Sequence, residues 1–165
     1  MQGPYDRGDF MSVQLRPELP STFKKLIVKI GSAALAHPQT GVNQAKIEQI
    51  AGDCHALMQA GMQVLLVSSG AIQIGRHHIG NVPDGPIDYL QACSAIGQPS
   101  LMNSYSQAFA AQGRVCAQVL LTHEDIRNRK RCLNLKNMID RLMSSGIIPI
   151  LNENDSVSFA EITVG

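Results

Sequence analysis

A chain of 165 residues with 44% hydrophobic and 16% charged side chains has the make-up of one soluble globular domain, which excludes a fibrous repeat and a disordered polyelectrolyte. Fourteen basic against thirteen acidic residues leave a formal charge of +1, so charge gives no reason to expect a nucleic-acid or anionic-membrane partner. Cys54, Cys93, Cys116 and Cys132 are scattered, with no CxxC pair and no histidine at metal-ligand spacing; they read as free thiols in a reducing, cytoplasmic setting, and no metal site is expected from them.

Residues 1–22 carry Gly3, Pro4, Gly8, Pro17 and Pro20 with little periodicity and read as a flexible leader, followed by one domain over 23–165. Asp6 and Asp9 argue against a mitochondrial presequence, and the longest apolar runs are too short to span a membrane. The run LIVKI at Leu26 to Ile30 is short and β-branched and stops at Gly31, as a buried strand should. Ile47, Ile50, Ala51, Cys54, Leu57 and Met58 recur at helical steps, with Asn43 available as the cap and Gly61 as the terminator. A second strand runs from Val64 to Val67 and a helix follows Ala71. Further helical spacing covers Tyr89 to Gln112, where Pro99 predicts two helices or one bent one. A strand from Val115 to Leu121, a helix through Leu135, Ile139, Leu142 and Met143, and a strand from Ile147 to Leu151 complete the pattern. Alternation of this kind predicts an α/β fold, a mainly parallel sheet sandwiched between helices.

The four strands share small or polar ends: Gly31-Ser32, Ser68-Ser69-Gly70-Ala71, Thr122, and Asn152-Glu153-Asn154-Asp155. Open α/β sheets bind ligands beyond the carboxyl ends of their strands, so these turns are expected to converge on one site. The turn before the helix at Ala71 suits an anion, because free N–H groups and the helix dipole face it; the alternative is that Ser69 only caps the helix and Gly70 only relieves crowding. Gly31 would let a phosphate approach the backbone. Lys29 is a lone ammonium in an apolar strand, which suggests either a role in neutralising phosphate charge or a position on a sheet edge that reaches solvent. Asn152, Asn154 and Asp155 could hold both a carboxylate and an ammonium group, or could simply build an Asx turn. Arg127, Arg129, Lys130 and Arg131 read as a solvated helix face, with a subunit contact or an anion site as the alternative, and the adjacent His77 and His78 as surface residues. Neither GxxxxGK[ST] nor GxGxxG occurs.

Four ordered segments carry a family resemblance: VKIGSAAL at Val28 to Leu35, VSSGAIQIGR at Val67 to Arg76, LLTHEDIRNR at Leu120 to Arg129, and IIPILNENDSVS at Ile147 to Ser158. Together with AIGQ at Ala95 to Gln98, they resemble the glutamate 5-kinases of the amino acid kinase superfamily. VKIG and SSGA are shared across that superfamily, whereas NENDSVS points to the glutamate 5-kinase branch. The resemblance implies phosphorylation of the γ-carboxylate of L-glutamate by ATP with Mg2+, the first step of proline synthesis, with proline as feedback inhibitor and a homo-oligomeric assembly. It also implies Lys29 as the phosphate-contacting lysine, Ser69, Asp155 and Asn152 as glutamate contacts, and Gly31, Ser32 and Gly70 as backbone donors to the transferring group.

In that family the segment around AEITVG at Ala160 to Gly165 leads into a GDND motif and then the nucleotide-binding lobe, so the resemblance covers the substrate lobe alone. A sheet divided there is expected to leave its last strand as an unpaired edge and to self-associate. Pro99 and Ala33 depart from the small polar and hydroxylated residues usual in the family. Two rival readings are a related amino acid kinase with another acceptor, and a short protein that binds glutamate or proline without transferring phosphate.

Overall fold

The structure, a computed structural model, describes residues 23–83 and 85–157. The leader expected over 1–22 and the AEITVG segment lie outside them. Four strands, β1 (Lys25–Ile30), β4 (Gln63–Ser68), β5 (Cys116–Leu121) and β6 (Ile148–Glu153), form one parallel sheet in the order β1-β4-β6-β5. Between them run the short helix α1 (Ser32–Leu35), the helices α2 (Gln44–Gln59), α3 (Ala71–Ile79) and α4 (Ile87–Ala111), the single-turn α5 (His123–Arg127) and α6 (Arg129–Ser144). The α/β class and the parallel sheet flanked by helices are as the sequence predicts.

Local chemistry sets most of the boundaries. Asn43 caps α2 by accepting from the Lys46 N–H, and the helix ends at Gly61, whose φ of +87° only glycine adopts without strain. Thr122 and Asp125 form a reciprocal capping box at the start of α5. Pro149 sits in a central strand, where a missing donor is normally costly. The Ile148 N–H donates to the Val115 carbonyl, toward β5; alternation turns the position of Pro149 toward β4, and pairing with β4 begins only at Ile150.

Alternation also divides the core. Val64 and Leu66 of β4 and Ile148 and Ile150 of β6 are buried with Ile47, Ala51 and Leu57 of α2 and Leu101, Tyr105 and Phe109 of α4. Leu65 faces the opposite way, where α6 packs on β4 and β6 and buries Met143. Asp140 of α6 accepts from both Lys25 of β1 (2.8 Å) and Lys136 (3.0 Å), tying the helix to the sheet edge.

Several expectations change. The run LIVKI is an edge strand rather than a buried one, paired only with β4, and its odd-numbered side chains are exposed, Ile27 at 68%, because α6 packs over β4 and β6 and leaves that face of β1 largely uncovered. The last strand is not an edge, since β6 lies between β4 and β5. Of the two readings of Pro99, a divided segment does not hold: α4 is one helix of 25 residues with the proline inside it. Pro99 and Ala95 are both exposed, so the Ala95 carbonyl that loses its partner can turn to water. A small antiparallel hairpin, β2 (Ala36–His37) with β3 (Gly41–Val42), was not legible in the sequence.

The tightest packing lies between α3 and α4. A Cβ on Gly75 would stand 1.8 Å from the Cys93 carbonyl oxygen, and one on Gly97 would stand 1.8 Å from the Ala71 carbonyl oxygen. The two helices therefore meet backbone to backbone. Gly97→Ala should force them apart and cost about 1–3 kcal/mol or more. Gly52, in the middle of α2 with open space around its Cβ position, should gain up to about 1 kcal/mol on replacement by alanine. Urea midpoints of the two variants should move in opposite directions; an unchanged midpoint for Gly97→Ala would show that the contact can relax freely.

Candidate functional site

The register brings the strand ends level. Ile30 pairs with Ser68, Val67 with Leu151, and Leu121 with Glu153, so the turns after the four strands share one edge of the sheet. Six of the seven residues singled out in the sequence, Lys29, Gly31, Ser32, Ser69, Gly70 and Asp155, line a single pocket of about 460 Å³. The seventh, Asn152, lines a neighbouring pocket of about 340 Å³, to which Lys29 and Ser69 also contribute.

The two serines before α3 divide their labour. Ser68 is buried, and its hydroxyl lies 3.1 Å from the Tyr105 hydroxyl of α4. Burial pushes the Tyr105 phenol up to about 12, so this pair stays neutral and hydrogen-bonded at physiological pH. Ser69 is left facing the pockets. It does not cap α3, because Gly70 occupies the cap position and no side-chain cap bonds to the first N–H groups there. Gly70 has φ +108°, and a Cβ on it would meet the Ser32 Cα at 3.4 Å. Glycine is thus required by the backbone and also lets the first two turns touch. Gly31 differs: its φ is −75°, and no described atom lies within 4 Å of where its Cβ would be. Nothing in the described protein requires glycine at that point.

Lys29 is an exposed side chain on the edge strand, so the premise of an enclosed ammonium does not hold; alternation turns it with Lys25 and Ile27 to the exposed face of β1, and it lines both pockets. Asp155 is 4% exposed, in the turn that follows β6. Asn152 is 6% exposed and committed on both sides: its amide donates to Gln98 Oε1 of α4 at 2.8 Å, and its own oxygen accepts from the Glu153 N–H. Asn154 builds the turn, accepting from the Ser156 hydroxyl at 2.6 Å and from the Val157 N–H.

Some lining residues escaped the sequence reading. Ile72, Gln73 and Arg76 of α3 face the pocket, while Ala71, Ile74 and Gly75 are buried. The two sets interleave at helical spacing, so the periodicity of AIQIGR would have separated them. Gln98 was visible within AIGQ, but its bond to Asn152 spans 54 positions and leaves no local trace. The basic run from Arg127 is exposed as expected, with Arg131 bound to Asp125 at 3.2 Å, and His77 and His78 are surface residues. All four cysteines are free. No helix among the described residues is long and apolar enough to cross a membrane.

The chain is similar to known proteins over most of its length. A glutamate 5-kinase of Carboxydothermus hydrogenoformans is 42% identical over 151 residues, covering 90% of this chain and 40% of the relative. Glutamate 5-kinases of Nitratidesulfovibrio vulgaris and Myxococcus xanthus are 45% and 42% identical over 141 and 144 residues, 37% and 38% of their lengths. The chain therefore spans about 40% of the length of the curated relatives it matches. The family model described as "Amino acid kinase family" matches residues 24–164, and by that match the chain belongs to the amino acid kinase family.

Proposed function

We propose that this chain is the acceptor-binding portion of a glutamate 5-kinase, which moves the γ-phosphoryl group of ATP to the γ-carboxylate of L-glutamate. A carboxylate oxygen attacks the γ-phosphorus, the bond from that phosphorus to the β,γ-bridging oxygen breaks, and ADP leaves with the electron pair. The product is γ-glutamyl phosphate, the first intermediate of proline synthesis. Proline as feedback inhibitor, a cytoplasmic setting, a homo-oligomer and a domain that runs over 23–165 after a leader all belong to the same proposal. The single observation that carries it is the convergence of Lys29, Ser32, Ser69, Gly70 and Asp155 on one pocket at the carboxyl edge of the sheet.

Phosphoryl transfer asks little covalent chemistry of the protein; it asks for alignment and for neutralisation of charge. The open space at Gly31, the uncapped N–H groups at the start of α3 and the mobile charge of Lys29 fit a transferring phosphoryl group. Mg2+, bound with ATP, would supply further neutralisation of the phosphate oxygens; no ligand to it is assigned among the described residues. Ser69 and the buried Asp155 suit the hydroxyl-bonded and ammonium ends of glutamate. Asn152 lines the neighbouring pocket, where its bond to Gln98 holds it.

Fused at Gly165 to the remainder of a full-length relative, the chain allows turnover to be measured. Lys29→Met should then lose roughly 10²- to 10³-fold in kcat. Its melting temperature should stay the same, because the side chain is exposed. Normal turnover with an unchanged fold removes Lys29 from the reaction. Asp155→Asn in that fusion should raise the KM for glutamate about 10- to 100-fold, the range of one charged hydrogen bond, and leave the KM for ATP near its starting value. A shift in the ATP requirement instead would reassign the pocket to the nucleotide.

The 165-residue chain alone should form no hydroxylamine-trappable acyl phosphate above a Lys29→Ala control, since its match covers about 40% of the relatives and its sequence holds no P-loop. Trapped product at a rate clearly above that control would locate a complete nucleotide site within these residues.

A further inference from the structure

Arg76 is the one pocket-lining cation that the proposed reaction leaves without a task. It stands in the last turn of α3, where a cation is favoured by the helix dipole, but that effect accounts for its charge and not for its position. Its Nε is shielded from solvent and has no hydrogen-bond partner among the described residues, and no ion pair is made to its guanidinium there. A shielded guanidinium N–H without an acceptor costs free energy comparable to a lost hydrogen bond, so an acceptor is to be expected from outside the described residues, and the pocket that Arg76 lines is where a ligand can supply it. Arg76 lines the pocket that holds Lys29 and Asp155, and also a larger groove of about 730 Å³ beside it, walled by Ser32, His37 and Gln73.

The charges of the pocket form a pattern. Among its described lining residues, two carry positive charge, Lys29 and Arg76, and one carries negative charge, Asp155. A dicarboxylic amino acid is the reverse image, with two carboxylates and one ammonium group. Lys29 lies near the strand end, where it is assigned to the phosphoryl group and so to the carboxylate that receives it; Asp155 is assigned to the ammonium. One carboxylate and one guanidinium remain.

We propose that Arg76 holds the α-carboxylate of the amino-acid acceptor, as the pocket's second anion-binding group beside Lys29. The inference rests on the glutamate reading given above. Arginine suits the task because its planar fork presents paired donors to a carboxylate, a geometry that lysine does not reproduce. In this arrangement Arg76 is a binding and specificity residue: it fixes which carboxylate is left free to receive the phosphoryl group.

The test compares L-glutamate with 4-aminobutyrate, which keeps the γ-carboxylate and the amine but lacks the α-carboxylate. Binding of each to the 165-residue chain is measured by calorimetry for the native protein, Arg76→Gln and Arg76→Lys, with thermal melts as the check on folding. Native protein should prefer glutamate at least tenfold. Arg76→Gln should weaken glutamate about tenfold or more with little change for 4-aminobutyrate, and Arg76→Lys should restore part of the preference. A variant that binds both ligands as the native protein does, or that loses both equally, overturns the role of Arg76 and leaves the glutamate reading standing. Native chain that fails to bind glutamate overturns that reading and this inference with it.

Discussion

The position of α3 is fixed by contact between peptide groups. Gly75 of α3 and Gly97 of α4 each lie where a methyl group would overlap a carbonyl of the other helix, so the two helices approach more closely than any side chain at those positions would allow. Everything the site needs from α3 follows from that approach: its first N–H groups, the turn at Gly70 and the line of side chains from Ile72 to Arg76. Side-chain packing could be rearranged at modest cost, but a backbone contact has no rotamers to spend.

Helix α4 extends this control to the strand ends. One residue past the Gly97 contact, Gln98 holds the Asn152 amide at the end of β6; two turns further, Tyr105 meets the hydroxyl of Ser68 at the end of β4. Three of the features that shape the pocket are thus referred to one rod. Both hydrogen bonds are buried, where an unsatisfied group costs more than the bond itself is worth, so the pairs fix geometry more than they add stability. This also explains why a polar residue such as Asn152 can matter to a pocket without pointing freely into it.

Much of this was legible from the chain. Helical spacing in 47–58, the glycine after it and the β-branched runs located the central elements, since those signals are local and each is set by burial on a known period. The convergence of strand ends was legible for the same reason, because parallel strands must end on the same side. What failed to show was long-range. Nothing in LIVKI distinguishes an edge from an interior strand, as the difference lies in which neighbours the sheet supplies; Lys29 therefore looked enclosed when it is exposed. The local rule for Pro99 left two helices or one bent one open, and what decides for a single helix is that the face concerned is wet. Of the site, the glycines and Ser69 were visible in their motif, while Arg76 passed unnoticed inside it because the reading stopped at the turn and did not follow the helix.

The order β1-β4-β6-β5 has a consequence for the timing of assembly. During synthesis β5 emerges with no neighbour it can keep, because the place beside β4 belongs to β6, whose residues come about thirty positions later. Until they leave the ribosome, the nascent chain holds a two-stranded β1-β4 unit with α2, and a solitary strand whose partner surface is still inside the tunnel. Closure of the sheet is thereby deferred to the arrival of the stretch that also carries Asn152 and Asp155, so a nascent chain cannot present a finished pocket before its sheet is complete.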